Sequence, residues 1–226
     1  MSKKNAVLFD LDGTLADTAP DLAYALNETL KLNGKQPLAF EKIRPVVSHG
    51  GIALIKLGFG FGPEADNYET VRKQLLDIYL ENIARETVLF PGTAELLDAL
   101  EKNNLPWGVI TNKPGWLTNP LMDALKLSQR AACIVSGDTT SKNKPHPEPM
   151  YYACEQANLV PEDCIYVGDA ERDIAAGRAA GMKTVAALFG YLLEDDDPDN
   201  WQADHFINHP LELLKLLELP ELQGRT

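Results

Sequence analysis

Short apolar runs alternate along the chain with longer segments in which apolar residues recur every three or four positions. The runs have the length of buried strands, and the longer segments have the periodicity of amphipathic helices. This alternation predicts an α/β fold, a Rossmann-like and mainly parallel sheet flanked by helices. The predicted strands are Ala6–Phe9, Trp107–Ile110, Cys133–Val135, Cys164–Val167, Thr184–Ala187 and His205–Ile207. The helices predicted beside the later strands are Thr93–Asn103, Leu117–Leu125, Pro147–Asn158, Asp173–Ala180 and Pro210–Leu217.

The segment between the first two predicted strands is far longer than the dozen or so residues of a simple crossover. It contains helical periodicity but no apolar run that predicts a strand, and Pro45 weakens its middle helix. The helices predicted within it are Pro20–Asn33, Glu41–Val47 and Ala65–Arg85. We therefore predict an all-helical domain over residues 17–86, inserted into an α/β domain of residues 1–16 and 87–226.

Composition narrows the range of partners. The 226 residues include 21 Lys and Arg against 33 Asp and Glu, which gives a net charge of −12. An acidic surface repels phosphate backbones, so we do not expect a nucleic-acid partner. The apolar runs fall short of the roughly 20 residues of a membrane span, and the N-terminal run is too short for a signal peptide. The three cysteines lack metal-site or redox spacing, so we expect a cytoplasmic protein with no membrane partner.

Polar motifs follow the first four predicted strands, at the edge where the carboxyl ends of parallel strands meet. Ligands of open α/β sheets bind in the crevice at this edge. The polar residues are Asp10, Asp12 and Gly13 after the first strand, Thr111 and Asn112 after the second, Lys144 after the third, and Asp169 and Asp173 after the fourth. The topology thus predicts that residues distant in sequence form one site.

The four aspartates indicate a metal ion. Asp10 and Asp12 are two residues apart, so their side chains point the same way in an extended chain. Close carboxylates repel one another, and their co-location indicates a cation or a shared proton. With Asp169 and Asp173 they offer oxygen ligands without His or Cys, which suits magnesium better than zinc. Gly13 lets the backbone turn sharply beside a ligand.

The remaining polar residues favour a phosphate ligand. The Thr111 hydroxyl and nearby amides can donate to phosphate oxygens, and a fixed Lys144 ammonium can neutralise them. Taken singly, the first three motifs are more typical of a turn, a helix cap or a surface loop than of a site, and Asp173 could equally be a capping carboxylate. Together they favour a site, because the repulsion of the acids would be costly without a metal.

The order of these motifs resembles the haloacid dehalogenase superfamily of phosphohydrolases. The matching motifs are Asp10–Thr14, Thr111–Asn112, Lys144–Pro145 and Gly168–Asp173, with the helical insertion in the place of the family's cap. Similarity to phosphoglycolate phosphatase-like enzymes lies in Leu15–Thr18, Phe90–Gly92 and Trp107–Pro114. Similarity to N-acetylmuramic acid 6-phosphate phosphatases lies in Phe189–Tyr191 and Asp199–Leu213.

The resemblance implies a phosphatase that works through an aspartyl phosphate. Asp10 would attack phosphorus, and Asp12 would protonate the leaving alkoxide and then activate water. Mg²⁺ would be held by Asp10, the Asp12 backbone carbonyl and Asp169, with Asp173 binding directly or through water. The presence of Asp12 distinguishes this motif from that of a dehalogenase, but a phosphomutase would retain it.

The expected substrate is a small phosphorylated metabolite, 2-phosphoglycolate, bound by Thr111, Asn112, Lys144 and the turn at Gly13. The alternative is N-acetylmuramic acid 6-phosphate or another sugar phosphate. A phosphomutase or a non-catalytic protein that binds a phosphorylated ligand are further alternatives. We expect a monomer or homodimer.

Substrate selection is expected in the cap, because a closing lid excludes water and brings selecting groups to the site. Ser48, His49, Gly50 and Gly51 form a predicted loop between two cap helices and are our candidates. An ordinary glycine-rich turn fits the same residues equally well.

Overall fold

The computed structural model describes residues 6–219. It confirms the predicted α/β fold, with six parallel strands in the order β5-β4-β1-β6-β7-β8. The strands of this sheet are β1 Ala6–Phe9, β4 Trp107–Ile110, β5 Ile134–Val135, β6 Cys164–Gly168, β7 Lys183–Ala187 and β8 His205–Ile207. Every predicted strand is present, with ends that differ by one residue at most.

Helices cover both faces of the sheet. They are α5 Thr93–Lys102, α6 Gly115–Ala124, α7 Glu148–Ala157, α8 Glu171–Ala179 and α9 Glu212–Leu216. Val7 and Phe9 of β1 pack in the cluster that contains the apolar residues of α5, α6 and α9. Ala6 and Leu8 pack in the opposite cluster with α7 and α8. The period-two alternation of a strand buried on both faces therefore fixes β1 inside the sheet.

Helices also fill residues 19–81 of the segment between β1 and β4, and we call these residues the helical insertion. Its helices are α1 Ala19–Leu32, α2 Phe40–Ile43, α3 Gly50–Phe59 and α4 Tyr68–Glu81, with a 3₁₀ helix at Arg44–His49. They enclose a separate apolar cluster, to which α1 and α4 contribute most of the buried residues. Because these helices bury their apolar faces mainly against one another, they can pack without a sheet.

Two expectations for this segment were wrong. Ser48–Gly51 is not a loop, because Ser48 and His49 end the 3₁₀ helix and Gly50 and Gly51 begin α3. The predicted helix Glu41–Val47 is instead the short α2 followed by the 3₁₀ helix, which accepts Pro45 in its first turn. The predicted helix Ala65–Arg85 is confirmed as α4, which is shorter at both ends.

The absence of strands from the segment was also wrongly predicted. β2 Ala16–Asp17 and β3 Val88–Leu89 form an antiparallel pair where the chain enters and leaves the helical insertion. Asp21 of α1 strengthens the junction, because its carboxylate accepts hydrogen bonds from the backbone N–H groups of Glu86 and Thr87. The two connections are therefore held side by side. Within the described residues, no helix is long and apolar enough to cross a membrane.

Candidate active site

Asp10 lies at the end of β1 and is almost fully buried. Its Oδ1 accepts a hydrogen bond of 2.8 Å from the Leu11 N–H and lies 2.9 Å from Nζ of Lys144. Both contacts go to the same oxygen. Strand β1 pairs with β4 and β6 on either side, so the residues that follow these three strands converge around Asp10.

Asp10, Asp169 and Asp173 form a compact cluster of buried carboxylates. One oxygen from each lies within 4.8 Å of the others. Burial, together with the neighbouring Asp173 carboxylate, raises the pKa of Asp10 to about 6. Burial and the charge of Asp10 raise the pKa of Asp169 to about 7. Burial and the repulsion between the carboxylates thus both disfavour three negative charges at this place, and an all-oxygen donor set of this kind suits a hard divalent cation.

Gly13 makes room for this cluster. Its φ is +84°, a conformation that L side chains rarely adopt. A Cβ at this position would lie 2.1 Å from Oδ2 of Asp169 and 2.9 Å from the Ser48 hydroxyl. Only glycine allows the backbone after β1 to approach Asp169 this closely.

Lys144 is the cation at the centre of the site, and its side chain is fully buried. Its ammonium lies 2.9 Å from Asp10 and 2.7 Å from Asp173. It also donates to the Ile110 carbonyl and the Tyr166 hydroxyl. A single lysine thus faces two carboxylates, while Asp169 has hydrogen bonds from Ser48 and the Tyr191 N–H.

Asn112 holds the Lys144 backbone in place. Its Nδ2 donates to the Lys144 carbonyl, and its Oδ1 accepts from the Lys144 N–H. Thr111 is buried beside it, and its hydroxyl oxygen accepts a hydrogen bond from the Lys113 N–H. We expected the Asn112 side chain to bind substrate, but its amide groups instead position Lys144.

The Asp12 side chain points to different partners. Its Oδ1 accepts a 2.6 Å hydrogen bond from Thr18 and lies 2.8 Å from Nζ of Lys113. The Thr18 hydroxyl makes no cap for α1, which begins at the next residue. The backbone carbonyl of Asp12 lies 3.5 Å from the Ser48 hydroxyl, on the side of Asp169.

The helical insertion reaches this site through Ser48. The Ser48 hydroxyl donates to Oδ2 of Asp169 at 2.7 Å, and its carbonyl accepts a 2.7 Å hydrogen bond from Arg172 of α8. Beneath the insertion lies a cavity of about 340 Å³ that Asp10, Asp12 and Thr111 line on the sheet side. Its insertion side carries the four candidate residues Ser48, His49, Gly50 and Gly51 and the helix residues Leu22, Leu54, Leu75, Leu76 and Tyr79.

Comparison with known proteins identifies the family to which this sequence belongs. Residues 7–187 match the sequence profile of a family described as haloacid dehalogenase-like hydrolase. The chain belongs to this family. Like the resemblance seen in the sequence, the match spans the four polar motifs and the whole helical insertion.

Relatives of this haloacid dehalogenase-like hydrolase cover nearly its full length. It is 44% identical to an N-acetylmuramic acid 6-phosphate phosphatase from Pseudomonas putida, over 94% of this chain and 96% of that one. It is 41% identical to a phosphoglycolate phosphatase from Xanthomonas campestris, over 96% and 97% of the two chains. A crystal structure of a predicted phosphoglycolate phosphatase from Haemophilus somnus superposes with a TM-score of 0.85 at 27% identity, covering 96% and 99%.

Most of the predicted site residues of this hydrolase meet at one place. The side chain of Asp12 contacts Thr18 and Lys113, and the side chain of Asn112 positions Lys144. Lys113, Arg172 and Tyr79 are among the residues at the same place that were not predicted. Lys113 follows Asn112 directly and was visible in that motif, whereas Arg172 lies within the spacing between Asp169 and Asp173. Tyr79 gave no signal beyond helical periodicity, because its position over the site depends on how the insertion packs.

Proposed function

We propose that the protein is a magnesium-dependent phosphatase that hydrolyses a small phosphomonoester through an aspartyl phosphate on Asp10. The observation that carries this proposal is the environment of the Asp10 carboxylate. Lys144 and the Leu11 N–H both hold Oδ1, so the other oxygen, Oδ2, is the one that we assign to attack. A fixed carboxylate with one oxygen left for phosphorus is what in-line displacement requires.

Asp12 is assigned the proton transfers. It would protonate the departing alkoxide and then take a proton from the water that hydrolyses the aspartyl phosphate. Thr18 and Lys113 hold its carboxylate on the wall of the same cavity as Asp10, where a leaving oxygen would lie.

Asp10, Asp169 and the Asp12 backbone carbonyl would hold Mg²⁺, with Asp173 binding directly or through water. When bound, Mg²⁺ supplies positive charge that offsets the carboxylates and the phosphoryl oxygens. Asp173 is also engaged by Lys144 and by the N–H of Ala170 at the start of α8. These contacts support a role for Asp173 in orienting the site as well as in binding the ion.

Lys144 and Thr111 are assigned to the transferring phosphoryl group, with Asn112 fixing Lys144 and Gly13 admitting the close backbone approach. Preorganised charge of this kind supplies most of the catalysis in phosphoryl transfer. Residues 17–86 would act as a cap domain, with Ser48–Gly51 forming the part of the cap that faces the substrate. The hydrogen bonds of Ser48 to Asp169 and Arg172 support this assignment.

The cavity favours N-acetylmuramic acid 6-phosphate over 2-phosphoglycolate as the substrate. A volume of about 340 Å³ lies in the range of pockets that hold drug-sized ligands, well beyond the needs of a two-carbon acid. Leucines on the insertion side offer apolar contacts that an N-acetyl and a lactyl group can use. 2-Phosphoglycolate remains the second candidate, since relatives with a similar sequence identity to this chain are named phosphoglycolate phosphatases. We place the enzyme in the cytoplasm, in line with its three buried cysteines. We expect a monomer or homodimer.

Phosphate release tests the proposal. The purified protein is assayed with each of the two esters, with Mg²⁺ or with EDTA, beside Asp10→Asn. We expect Mg²⁺-dependent release, faster with N-acetylmuramic acid 6-phosphate, and a loss of about 10⁴-fold or more in Asp10→Asn. Release by Asp10→Asn at the normal rate would refute the nucleophile. Binding without release would favour the non-catalytic alternative, and transfer of phosphate within the substrate would favour a phosphomutase.

A further inference from the structure

Tyr79 of α4 buries a hydroxyl that has no hydrogen-bond partner among residues 6–219. The residue has 0% exposure, and its hydroxyl makes no hydrogen bond to the described protein. A buried polar atom left in this state costs roughly 1–3 kcal/mol. Phenylalanine would fill the same space without that cost. The Lys113 ammonium is a polar neighbour of this hydroxyl, but no hydrogen bond of ordinary geometry joins the two. The packing of the fold therefore leaves the hydroxyl without a full partner.

The location of Tyr79 points to a ligand. It lines the same cavity as Asp10 and Asp12. The other cavity residues of α4 are Leu75 and Leu76, so the Tyr79 hydroxyl is the polar group that this helix offers to the cavity. A polar group that lies beside the cavity, in an otherwise apolar wall, can be satisfied by a substrate.

Lys113 brings a second buried polar group to the same place from the sheet side. Its Nζ lies 4.7 Å from the centre of the Tyr79 ring and 2.8 Å from Asp12, and its side chain is 7% exposed. The ammonium forms an ion pair with the Asp12 carboxylate. An ammonium has three N–H donors, more than its contact with Asp12 uses.

We propose that the Tyr79 hydroxyl and the Lys113 ammonium form a subsite for an acceptor oxygen on the substrate, close to the carbon that bears the phosphate. The subsite adjoins Asp12, which the proposed function places at the leaving oxygen, and the inference rests on that function. In 2-phosphoglycolate the acceptor is a carboxylate oxygen, and in a hexose 6-phosphate it is the ring oxygen. Burial raises the pKa of Tyr79 to about 12, so the hydroxyl acts as a donor at neutral pH.

Tyr79→Phe tests the subsite because it removes the hydroxyl and keeps the ring. The assay compares kcat/KM for 2-phosphoglycolate, N-acetylmuramic acid 6-phosphate and ethyl phosphate. Ethyl phosphate has an alkoxide leaving group that also needs protonation, but it has no further oxygen. We expect a loss of about tenfold for the ester whose oxygen occupies the subsite, and less than twofold for ethyl phosphate. Tyr68→Phe, which removes a hydroxyl from a buried tyrosine of α4 outside the cavity lining, should change none of the three.

The pattern of losses identifies the source of the oxygen. A loss confined to 2-phosphoglycolate assigns a carboxylate, and a loss confined to the sugar ester assigns a sugar oxygen. Equal losses for all three esters, or none, would overturn the subsite. A melting temperature several degrees lower in Tyr79→Phe would also overturn it, because the hydroxyl would then stabilise the fold itself. If the unaltered protein hydrolyses no ester, the proposed function fails, and the subsite fails with it.

Discussion

The hydroxyl of Ser48 lies 2.7 Å from Oδ2 of Asp169, so a residue of the helical insertion contacts a carboxylate of the candidate metal site directly. A hydrogen bond to a charged group contributes more than one between neutral groups. In the function that we propose, closure of the cap over the cavity is therefore coupled to the group that we expect to bind the ion.

Ser48→Ala should raise KM roughly fivefold and change kcat less, because the closed cap loses about 1 kcal/mol of contact. Steady-state kinetics at saturating Mg²⁺ measure both constants. Ser141→Ala is the matched control, since Ser141 is an exposed serine that contacts Glu148 outside the site. A KM that stays at its normal value in Ser48→Ala would show that the contact does not hold the cap.

Lys144→Met should destabilise the protein by about 3–5 kcal/mol, because it leaves two buried carboxylates without their cation. Urea denaturation of the metal-free protein measures the change. Lys183→Met removes the exposed lysine of a surface ion pair and should cost less than about 1 kcal/mol.

The cause of that destabilisation can be tested separately. Adding Asp173→Asn to Lys144→Met removes one of the uncompensated charges and should restore part of the lost stability. If the double variant were no more stable than Lys144→Met, lost packing would be the cause instead of charge.

Asp12→Ala should reduce kcat about 10²–10⁴-fold for sugar phosphates, whose alkoxide leaving groups need a proton. p-Nitrophenyl phosphate has a leaving group that departs without protonation, so its first step should fall far less. A burst of p-nitrophenol followed by slow turnover would show the accumulated aspartyl phosphate. Equal losses for both esters, without a burst, would contradict the assignment of Asp12.

Stability of the metal-free protein should fall as the pH rises from about 4 to about 7. The folded pKa values of Asp10 and Asp169 lie above the ordinary value of 3.8, at about 6 and about 7. Their stabilising contribution is therefore complete below pH 3.8 and is lost as the pH passes through these folded values. For Asp10 the loss is on the order of 3 kcal/mol.

Denaturant titrations with EDTA at pH 4.5 and pH 7.5 measure this dependence. Asp10→Asn removes one of the titrating groups and should flatten the curve, and Mg²⁺ should restore stability at pH 7.5. A free energy of unfolding that increases with pH to the same extent in both proteins would show that Asp10 ionises without cost.

The sequence allowed prediction of the sheet and its polar edge because both depend on local pattern. Strands buried on both faces, such as β1, are short apolar runs, and the motifs follow directly after them. Helix α3 escaped prediction because Gly50, Gly51 and Gly58 lower its helix propensity, which tertiary packing overrides. The two-residue strands β2 and β3 are too short to have a period.

The contacts between the helical insertion and the sheet could not be predicted in the same way. The proximity of Tyr79 to Lys113, and of Ser48 to Asp169, depends on how the insertion packs against the rest of the protein. Neither contact has a periodicity or a fixed spacing in the chain. The polar motifs meet because they follow parallel strands of one sheet. The insertion side of the site depends on packing alone.

The position of β1 between β4 and β6 also governs the order in which the protein can fold during synthesis. Asp10 and its strand are synthesised before both neighbouring strands, which are made only after the entire helical insertion. Until Trp107–Ile110 and Cys164–Gly168 are made, the apolar strand β1 has no strand to pair with. Contacts between residues so distant in sequence also form slowly. A nascent chain that stops after the insertion therefore contains Asp10 but presents it on an exposed, association-prone segment.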